Sequence, residues 1–238
     1  MKIGQSAGKD YAYILGVYLG DGCVQNFLDH KSKAERIKFR LNTIDDDFAQ
    51  ATKAALNALS DYKVTICKHS VKGGQDNYAL VHGDRELCER LVSETNKKQQ
   101  IPAWVFDASR EEKLAFVAGL MDSEGFVTRK KDPRSRSTNR SYCMGFKSCD
   151  VWVPEFLRLL DILGVRYGKV SQEKPRKEGY KVPTGFRIKI QSWIDAGCYF
   201  NIIRKESKVY DWASAAPYEN RAPKKPRRST SETLRKAA

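Results

Sequence analysis

A nine-residue pattern that occurs twice constrains the fold of this chain more than any other feature. Residues 14–22 read ILGVYLGDG and residues 117–125 read VAGLMDSEG, so the second copy lies 103 residues after the first. Both copies place Gly third, a small residue seventh, a carboxylate eighth and Gly ninth. An internal repeat of this kind indicates two similar structural units within the 238 residues.

The segments that follow each copy also correspond. In the first half, polar and apolar residues alternate over residues 36–42, which predicts a strand, and a helical pattern begins near Asp45. In the second half a strand passes through Met144 and Phe146, and a helix begins near Asp150. Both aspartates are expected N-caps. A hairpin and a closing helix complete each half, so we predict an α+β fold of two αββαββα repeats with two antiparallel sheets.

Small residues recur at a spacing of four within each copy of the pattern. Gly16 and Gly20 share one face of the first predicted helix, and Gly119 and Ser123 share one face of the second. A glycine inside a helix costs about 0.5–1 kcal/mol relative to alanine, so these positions require a structural reason. We expect the two helices to approach each other closely along these faces.

Each of these helices ends in a carboxylate, Asp21 or Glu124, followed by glycine. A carboxylate is unfavourable at the negative end of a helix dipole, and two carboxylates brought together repel each other. A bound cation removes both penalties, and Mg²⁺ is commonly held by one or two carboxylates together with substrate phosphates. The pattern therefore predicts a metal site suited to phosphodiester hydrolysis.

The paired segments resemble the motifs of the LAGLIDADG homing endonucleases, in the single-chain form with two motifs. The resemblance covers roughly residues 8–216. It implies two sheets that form a DNA-binding saddle, motif helices at the repeat interface, and a staggered double-strand break in a long asymmetric DNA target. It also implies that Asp21 and Glu124 bind Mg²⁺ or Mn²⁺, that Gly20 and Ser123 complete the ligand set, and that Ca²⁺ binds without cleavage.

The resemblance further implies a basic catalytic residue near each metal site. Lys97 or Lys98 is the candidate in the first half, and Lys205 is the candidate in the second. Lys98 and Lys205 are separated by 107 residues, close to the offset of the repeat itself. An ordinary surface lysine is the alternative interpretation for each of them.

The chain departs from many relatives where the second strand of each half enters its helix. Those relatives carry Gln-Lys or a similar polar pair, whereas this chain has Thr43-Ile44 and Ser148-Cys149. We expect the hydroxyls of Thr43 and Ser148 to give polar support to the active site. Ile44 and Cys149 cannot replace a lysine, which bears on the rate of the reaction more than on its type.

The charge of the chain favours a nucleic-acid partner. Lys and Arg number 43 against 29 Asp and Glu, and of the resulting +14 the body keeps +9 without residues 219–238. A basic body suits double-stranded DNA, although a solvated cationic surface is the simpler alternative. Polar residues that alternate with apolar ones on the sheets are the candidates for DNA contact, against the alternative of an ordinary half-exposed sheet. These candidates are Arg36, Lys38, Arg40, Asn42, Lys147, Arg187, Lys189 and Gln191.

Four segments are expected along the chain: a first repeat over residues 1–100, a linker over 101–108, a second repeat over 109–216 and a basic disordered tail over 217–238. The two repeats predict a monomer with internal pseudo-two-fold symmetry. No apolar run reaches the roughly 20 residues that span a bilayer, and the amino terminus lacks the hydrophobic stretch of a signal peptide, so an intracellular soluble protein is expected. The compartment stays open.

Two kinds of function remain as alternatives to a nuclease. An RNA maturase that assists intron splicing, or a DNA-binding regulator that does not cleave, can have the same fold. Such proteins can lose the acidic residues, and because Asp21 and Glu124 are both present here, the nuclease is favoured. Three histidines and the absence of a C-x-x-C pair exclude a zinc finger.

Overall fold

The computed structural model of the protein describes residues 8–28, 33–70, 74–131, 140–172 and 182–214. The predicted tail, residues 217–238, lies outside the described residues. The first half contains, in order, α1 (Gly8–Leu19), β1 (Cys23–Leu28), β2 (Glu35–Thr43), α2 (Asp46–Leu59), β3 (Thr65–His69), β4 (Asn77–His82) and α3 (Arg85–Glu94). This order is the predicted αββαββα.

The second half repeats the order and adds two short helices. Its elements, with the helix that precedes them, are α4 (Trp104–Asp107), α5 (Arg110–Ser123), β5 (Gly125–Lys131), β6 (Arg140–Ser148), α6 (Val153–Leu163), β7 (Ser171–Gln172), β8 (Thr184–Ile188), α7 (Ile190–Asp195) and α8 (Ile203–Ser214). Within the described ranges, no helix is long and apolar enough to cross a bilayer.

The two sheets have the same topology. Each has four strands, in the orders β1-β2-β4-β3 and β5-β6-β8-β7, and all of their strand pairs are antiparallel. The register corresponds as well, because Phe39 lies between Val24 and His82 in one sheet while Met144 lies between Val127 and Ile188 in the other. The α+β class and the two antiparallel sheets are therefore confirmed.

Helices α1 and α5 make the most extensive contact between any two described elements, and they meet backbone to backbone. A Cβ atom placed on Gly16 would lie 2.3 Å from the carbonyl oxygen of Phe116, and one placed on Gly119 would lie 2.3 Å from the carbonyl oxygen of Tyr13. At Gly20 a Cβ atom would lie 2.4 Å from the Cβ atom of Ser123. The predicted close approach along the small-residue faces is confirmed, and it explains the glycines inside these helices.

Helix α6 begins later than the sequence pattern predicted. Its N-cap is Trp152, not Asp150, and Pro154 occupies the first turn, where a missing amide hydrogen costs nothing. The Asp150 carboxylate instead accepts a hydrogen bond from the Ser148 hydroxyl at 2.6 Å. Asp45 does precede α2 as its N-cap residue, but its side chain makes no capping hydrogen bond.

Strand β8 is shorter than predicted. It ends at Ile188, so the expected alternation through Lys189 and Gln191 does not continue. Lys189 is the N-cap residue of α7, and Gln191 lies within that helix, where its side-chain amide donates to the Asp195 carboxylate at 2.8 Å. The physical reason is that Ile190 and Trp193 are buried at a spacing of three, which packs a helix against the core and not a strand.

Candidate functional site

Asp21 and Glu124 lie at the ends of the two helices that meet at the centre of the molecule. Glu124 is the C-cap residue of α5, and its amide donates to the Leu120 carbonyl at 2.8 Å. Asp21 lies two residues beyond the end of α1. The two helix ends touch, since a Cβ atom on Gly20 would lie 3.5 Å from Cγ of Glu124. The packing of the repeat helices therefore brings the two predicted acids to one place.

The surroundings of both carboxylates favour their neutral forms. The pKa of Glu124 is raised to about 7, first by burial and then by the negative charges of Asp21 and Asp150. Asp21 is reached by solvent, yet the protein around it removes enough water to raise its pKa above the usual value. Lys98 and Lys205 oppose both shifts in pKa without cancelling them. Added positive charge is therefore stabilising at this place.

A lysine from each half reaches the helix ends. Nζ of Lys98 donates to the carbonyl oxygen of Gly20 at 2.7 Å, and Nζ of Lys205 donates to the carbonyl oxygens of Met121 and Asp122 at 3.0 and 2.6 Å. Burial lowers the pKa of Lys98, and it lowers the pKa of Lys205 to about 8. Of the two candidates in the first half, Lys98 is the one that reaches this place, whereas Lys97 is exposed.

Asp122 is a buried carboxylate that the sequence analysis did not single out. It accepts hydrogen bonds from the Tyr13 hydroxyl at 3.0 Å, from the amides of Asn201 and Ile202 at 3.1 and 3.3 Å, and from the Asn201 side chain. These contacts fix the turn that precedes α8, and α8 is the helix that carries Lys205. Leu19 occupies the matching position of the first copy, and this difference between the copies is the signal that could have identified Asp122.

The two expected supporting hydroxyls are engaged locally. The Thr43 hydroxyl accepts the Asp45 amide at 3.1 Å, and Thr43 lines a cavity together with Asp21. Ser148 is 4% exposed, and its hydroxyl donates a hydrogen bond to the Asp150 carboxylate. Its contact is therefore with Asp150.

A cavity of about 530 Å³ opens between the two halves beside Asp21. Its polar lining comes from the end of β2, the start of β5 and the first turns of α8. The lining residues with polar side chains include Asp21, Asn42, Thr43, Ser123, Thr128, Arg204, Lys205 and Lys208. It combines carboxylate, hydroxyl and ammonium groups, so it suits a phosphate group with a cation better than an apolar ligand.

The donor set at the helix ends fits a hard divalent cation. Carboxylate and carbonyl oxygens of Asp21, Glu124, Gly20 and Ser123 are the ligand types that Mg²⁺ takes. Among the described residues, no group of three or more His, Cys, Asp or Glu side chains could hold a metal alone. A cation here would therefore take further ligands from outside the protein. Gly20 already accepts Lys98, so a cation would have to use the second lone pair of that carbonyl.

The predicted alternation on β2 is present. Phe39 and Leu41 are buried while Arg40 and Asn42 are exposed, and Nζ of Lys38 lies 4.4 Å from the ring centre of Phe27. In the second sheet, Arg187 is exposed between two buried residues of β8. Three further candidates lie on strands or next to them: Arg36 is exposed on β2, Lys147 is half-buried on β6, and Lys189 is exposed just beyond β8.

Comparisons with solved structures show the fold. The chain is similar to the structure of I-DmoI in complex with DNA and Mn, with 18% identity, a TM-score of 0.52, and coverage of 79% of this chain and 93% of that one. It is similar to the homing endonuclease I-WcaI bound to its DNA recognition sequence, with 10% identity, a TM-score of 0.51, and coverage of 86% and 88%. The protein therefore has the fold of LAGLIDADG homing endonucleases, as the sequence resemblance implied.

A third solved structure has a similar fold. The chain is similar to full-length DUF199/WhiA from Thermatoga maritima, with 14% identity, a TM-score of 0.50, and coverage of 99% of this chain and 66% of that one. No protein-family model matches the chain. An uncharacterised protein of Methanocaldococcus jannaschii is 26% identical over 126 residues, which are 53% of this chain and 42% of that protein. The chain thus matches less than half the length of that relative.

Proposed function

We propose that this protein, which has the LAGLIDADG homing endonuclease fold, is a site-specific DNA endonuclease that depends on a divalent metal. The observation that supports this most directly is the meeting of Asp21 and Glu124 at the touching ends of α1 and α5, each beside the Nζ group of a lysine. A scaffold that only bound nucleic acid would have no use for two carboxylates placed where their charge is unfavourable.

Asp21 and Glu124 would hold Mg²⁺ or Mn²⁺, with carbonyl oxygens of Gly20 and Ser123 as further ligands. When bound, the metal supplies Lewis-acid activation of the phosphodiester and lowers the pKa of water. The protein's own contribution is to bring the two acids together through the Gly16–Gly119 contact. Ca²⁺ would occupy the same ligands without supporting cleavage.

Lys98 and Lys205 would stabilise negative charge that develops on the phosphate. Each Nζ group is already held against a helix-end carbonyl, at 2.7 and 2.6 Å, so little reorganisation is needed when substrate binds. The lowered pKa of Lys205, about 8, also makes this group a candidate for proton transfer near neutral pH.

Contacts with DNA are proposed for the exposed polar faces of the two sheets. Arg36, Lys38, Arg40 and Asn42 would serve one half of an asymmetric site, and Lys147, Arg187 and Lys189 would serve the other. The Gln191 amide, which is bonded to Asp195 within α7, would have to leave that partner in order to contact DNA. Each half would act as one repeat of a monomer, with the boundaries predicted from the sequence.

The alternative is a protein of this fold that binds nucleic acid without cleaving it. The similarity to WhiA covers nearly the whole chain and is as close in fold as the similarity to the homing endonucleases, so the fold alone does not establish cleavage. The paired carboxylates favour cleavage.

The deciding experiment selects bound duplexes from a random DNA pool with the full chain in Ca²⁺, and then adds Mg²⁺ or Mn²⁺. We expect a staggered double-strand break that EDTA prevents while binding persists. Asp21→Asn and Glu124→Gln should each reduce cleavage by 10²-fold or more, on the order of what one electrostatic group contributes, with little change in Kd. Glu111→Gln, at an exposed acid on the same α5 helix, is the matched control. Selective binding without cleavage in either metal would establish the alternative.

A further inference from the structure

The first turn of α8 is fastened to the opposite half of the molecule. Nε and Nη2 of Arg204 donate to the two carboxylate oxygens of Asp45 at 2.5 and 2.7 Å, and the amide of Ile203 donates to the Asp47 carboxylate. Arg204 and Asp45 are 159 residues apart in sequence. The contact therefore joins the start of α2 to the start of α8 across the cavity beside Asp21.

The geometry of this ion pair restrains α8 in direction as well as in distance. Two parallel hydrogen bonds between a guanidinium and a carboxylate fix the relative orientation of the two groups. The Asp45 side chain is 11% exposed and the Arg204 side chain is 52% exposed, so water screens the pair mainly from the arginine side. Asp45 does not cap α2 with its side chain, so its carboxylate is available for Arg204.

Lys205 follows Arg204 directly, and it is held from a second side. Asp122 binds the amides of Asn201 and Ile202, immediately before α8, while Nζ of Lys205 donates to the end of α5. Lys205 is 5% exposed. Two anchors thus precede Lys205 in the chain, the turn at Asn201 and Ile202 and the Arg204 ion pair.

Among the described residues the first half has no corresponding ion pair, although the negative charge of Asp150 acts on Lys98 and raises its pKa against the effect of burial. Lys97 precedes Lys98 as Arg204 precedes Lys205, and Asp150 matches Asp45, but within the described ranges Lys97 and Asp150 form no ion pair. Asp150 binds Ser148 instead, at 2.6 Å. Lys98 is half-buried and donates to one carbonyl, whereas Lys205 donates to two.

We propose that the Arg204–Asp45 ion pair is a positioning device for Lys205, so that cleavage of one DNA strand depends on a contact between the halves that cleavage of the other strand does not need. This inference rests on the proposed nuclease function. It adds that the two cleavage sites differ in their dependence on the Arg204–Asp45 contact. Arg204 is a positioning residue here, because it acts on the reaction through the placement of Lys205.

The experiment follows both strands of one selected duplex, each with its own end label, under single-turnover conditions in Mg²⁺. Lys205→Met and Lys98→Met first identify the strand that depends on each lysine. Arg204→Ala should then slow the Lys205-dependent strand on the order of 10- to 100-fold, as expected for a displaced catalytic group, and leave the other strand unchanged. Nicked duplex of one polarity should accumulate. Lys97→Ala, at the matching position, should change neither strand.

Two further variants separate anchoring from simple charge neutralisation. Asp45→Ala should slow the same strand as Arg204→Ala, and the double variant should be no slower than either, because both changes remove one contact. Should Arg204→Ala fail to fold, as judged by its melting temperature, Asp45→Asn tests the same contact with a smaller change.

Three results would refute the positioning role: equal slowing of both strands, no slowing of either, or recovery of the wild-type rate in the double variant. A wild-type chain that binds but never cuts would refute the proposed function, and this inference with it. The two failures are therefore distinguishable.

Discussion

The two halves of this molecule share every strand pairing but differ in how they hold their polar groups. Strand order and register match from one sheet to the other. At the helix contact, a Cβ atom added to Gly16 or to Gly119 would lie at the same distance, 2.3 Å, from a carbonyl oxygen of the partner helix. The turns that carry the two lysines differ. Lys205 follows a turn bound to Asp122 and lies next to Arg204, which pairs with Asp45. Lys98 is the last of three consecutive residues with positive φ, at +46°, +55° and +67°.

The two halves are therefore alike where backbone packs against backbone, at the glycines of α1 and α5. They differ where side chains make the contacts, around Lys98 and Lys205. A carbonyl oxygen 2.3 Å from a would-be Cβ atom tolerates no variation, so both halves keep glycine. A lysine can be placed either by ion pairs and hydrogen bonds or by a left-handed turn that costs roughly 1–2 kcal/mol per non-glycine residue. Each half has adopted one of these.

The largest expected effect comes from breaking the symmetric contact. Gly16→Ala and Gly119→Ala should each lower the free energy of unfolding by about 1–3 kcal/mol or more, because the added methyl group has only backbone to displace. Urea denaturation measures the loss. Gly83→Ala, which has no atom within 4 Å of its Cβ position, is the control and should be near neutral. Unequal losses at Gly16 and Gly119 would show that the contact is not symmetric.

A smaller effect is expected at His82, which the register matches to Ile188. His82 is fully buried, and neither ring nitrogen has a hydrogen-bond partner in the described part of the chain. His82→Ile should raise the free energy of unfolding by about 1 kcal/mol, since an unsatisfied buried polar group is removed. Ile188→His should lower the free energy of unfolding. A loss of stability in His82→Ile would contradict the conclusion that the buried, unpaired His82 ring is destabilising.

The effect at His82 should also depend on pH. Burial lowers the pKa of His82 in the folded state, with Asp84 opposing in part, while the unfolded chain takes up a proton near pH 6.5. The unfolded state therefore binds more protons, and wild-type stability should fall as pH drops below about 6.5 toward the lowered folded pKa. Melting temperatures at pH 7.5 and 5.5 should differ less in His82→Ile than in the wild type.

The smallest effect concerns the left-handed turn. Lys97 is exposed with φ of +55°, so Lys97→Gly should stabilise the fold by about 0.5 kcal/mol after the greater entropy of unfolded glycine is subtracted. Arg204→Gly, at the matching place in a helix, should destabilise the protein, because it removes an ion pair and adds a helix glycine. Stabilisation by both would remove the distinction between the two turns.

The fold was predictable because its determinants repeat over many residues. The apolar spacing of α1 and α5, the alternation along β2 and the recurrence of the motif all report on extended elements. Element ends were predictable only where a local signal marks them, as Pro154 marks the first turn of α6, whereas the end of β8 depends on the burial of Trp193 in the core. Local pattern cannot weigh such tertiary contacts.

The candidate site was predictable in part. Asp21 and Glu124 could be placed together because the helix that carries each of them was evident. The choice of Lys98 over Lys97 required the left-handed turn over residues 96–98, for which Asn96 is a local signal but Lys97 and Lys98 are not. Asp122 and Arg204 were missed because their partners, Asn201 and Asp45, are distant in sequence and follow no spacing rule.

The contact between α1 and α5 has a consequence for building new proteins from this one. At Gly16 and Gly119 its closest approaches involve Cα, carbonyl and amide atoms, which every residue possesses, so at these two positions the joint does not depend on the side chains of a particular partner. At Gly20 the neighbour is the Ser123 side chain, so a partner must carry a small residue there. A half taken from another chain could be grafted onto either half here, provided that it brings a glycine to the place of Gly16 or Gly119. A graft that replaced only the second half would also have to supply an arginine for Asp45, whereas a graft that replaced only the first would have to supply the aspartate. Modular exchange is thus permitted by the backbone at Gly16 and Gly119 and limited by side-chain contacts between the halves, among them the Arg204–Asp45 ion pair and the buried Tyr13–Asp122 hydrogen bond.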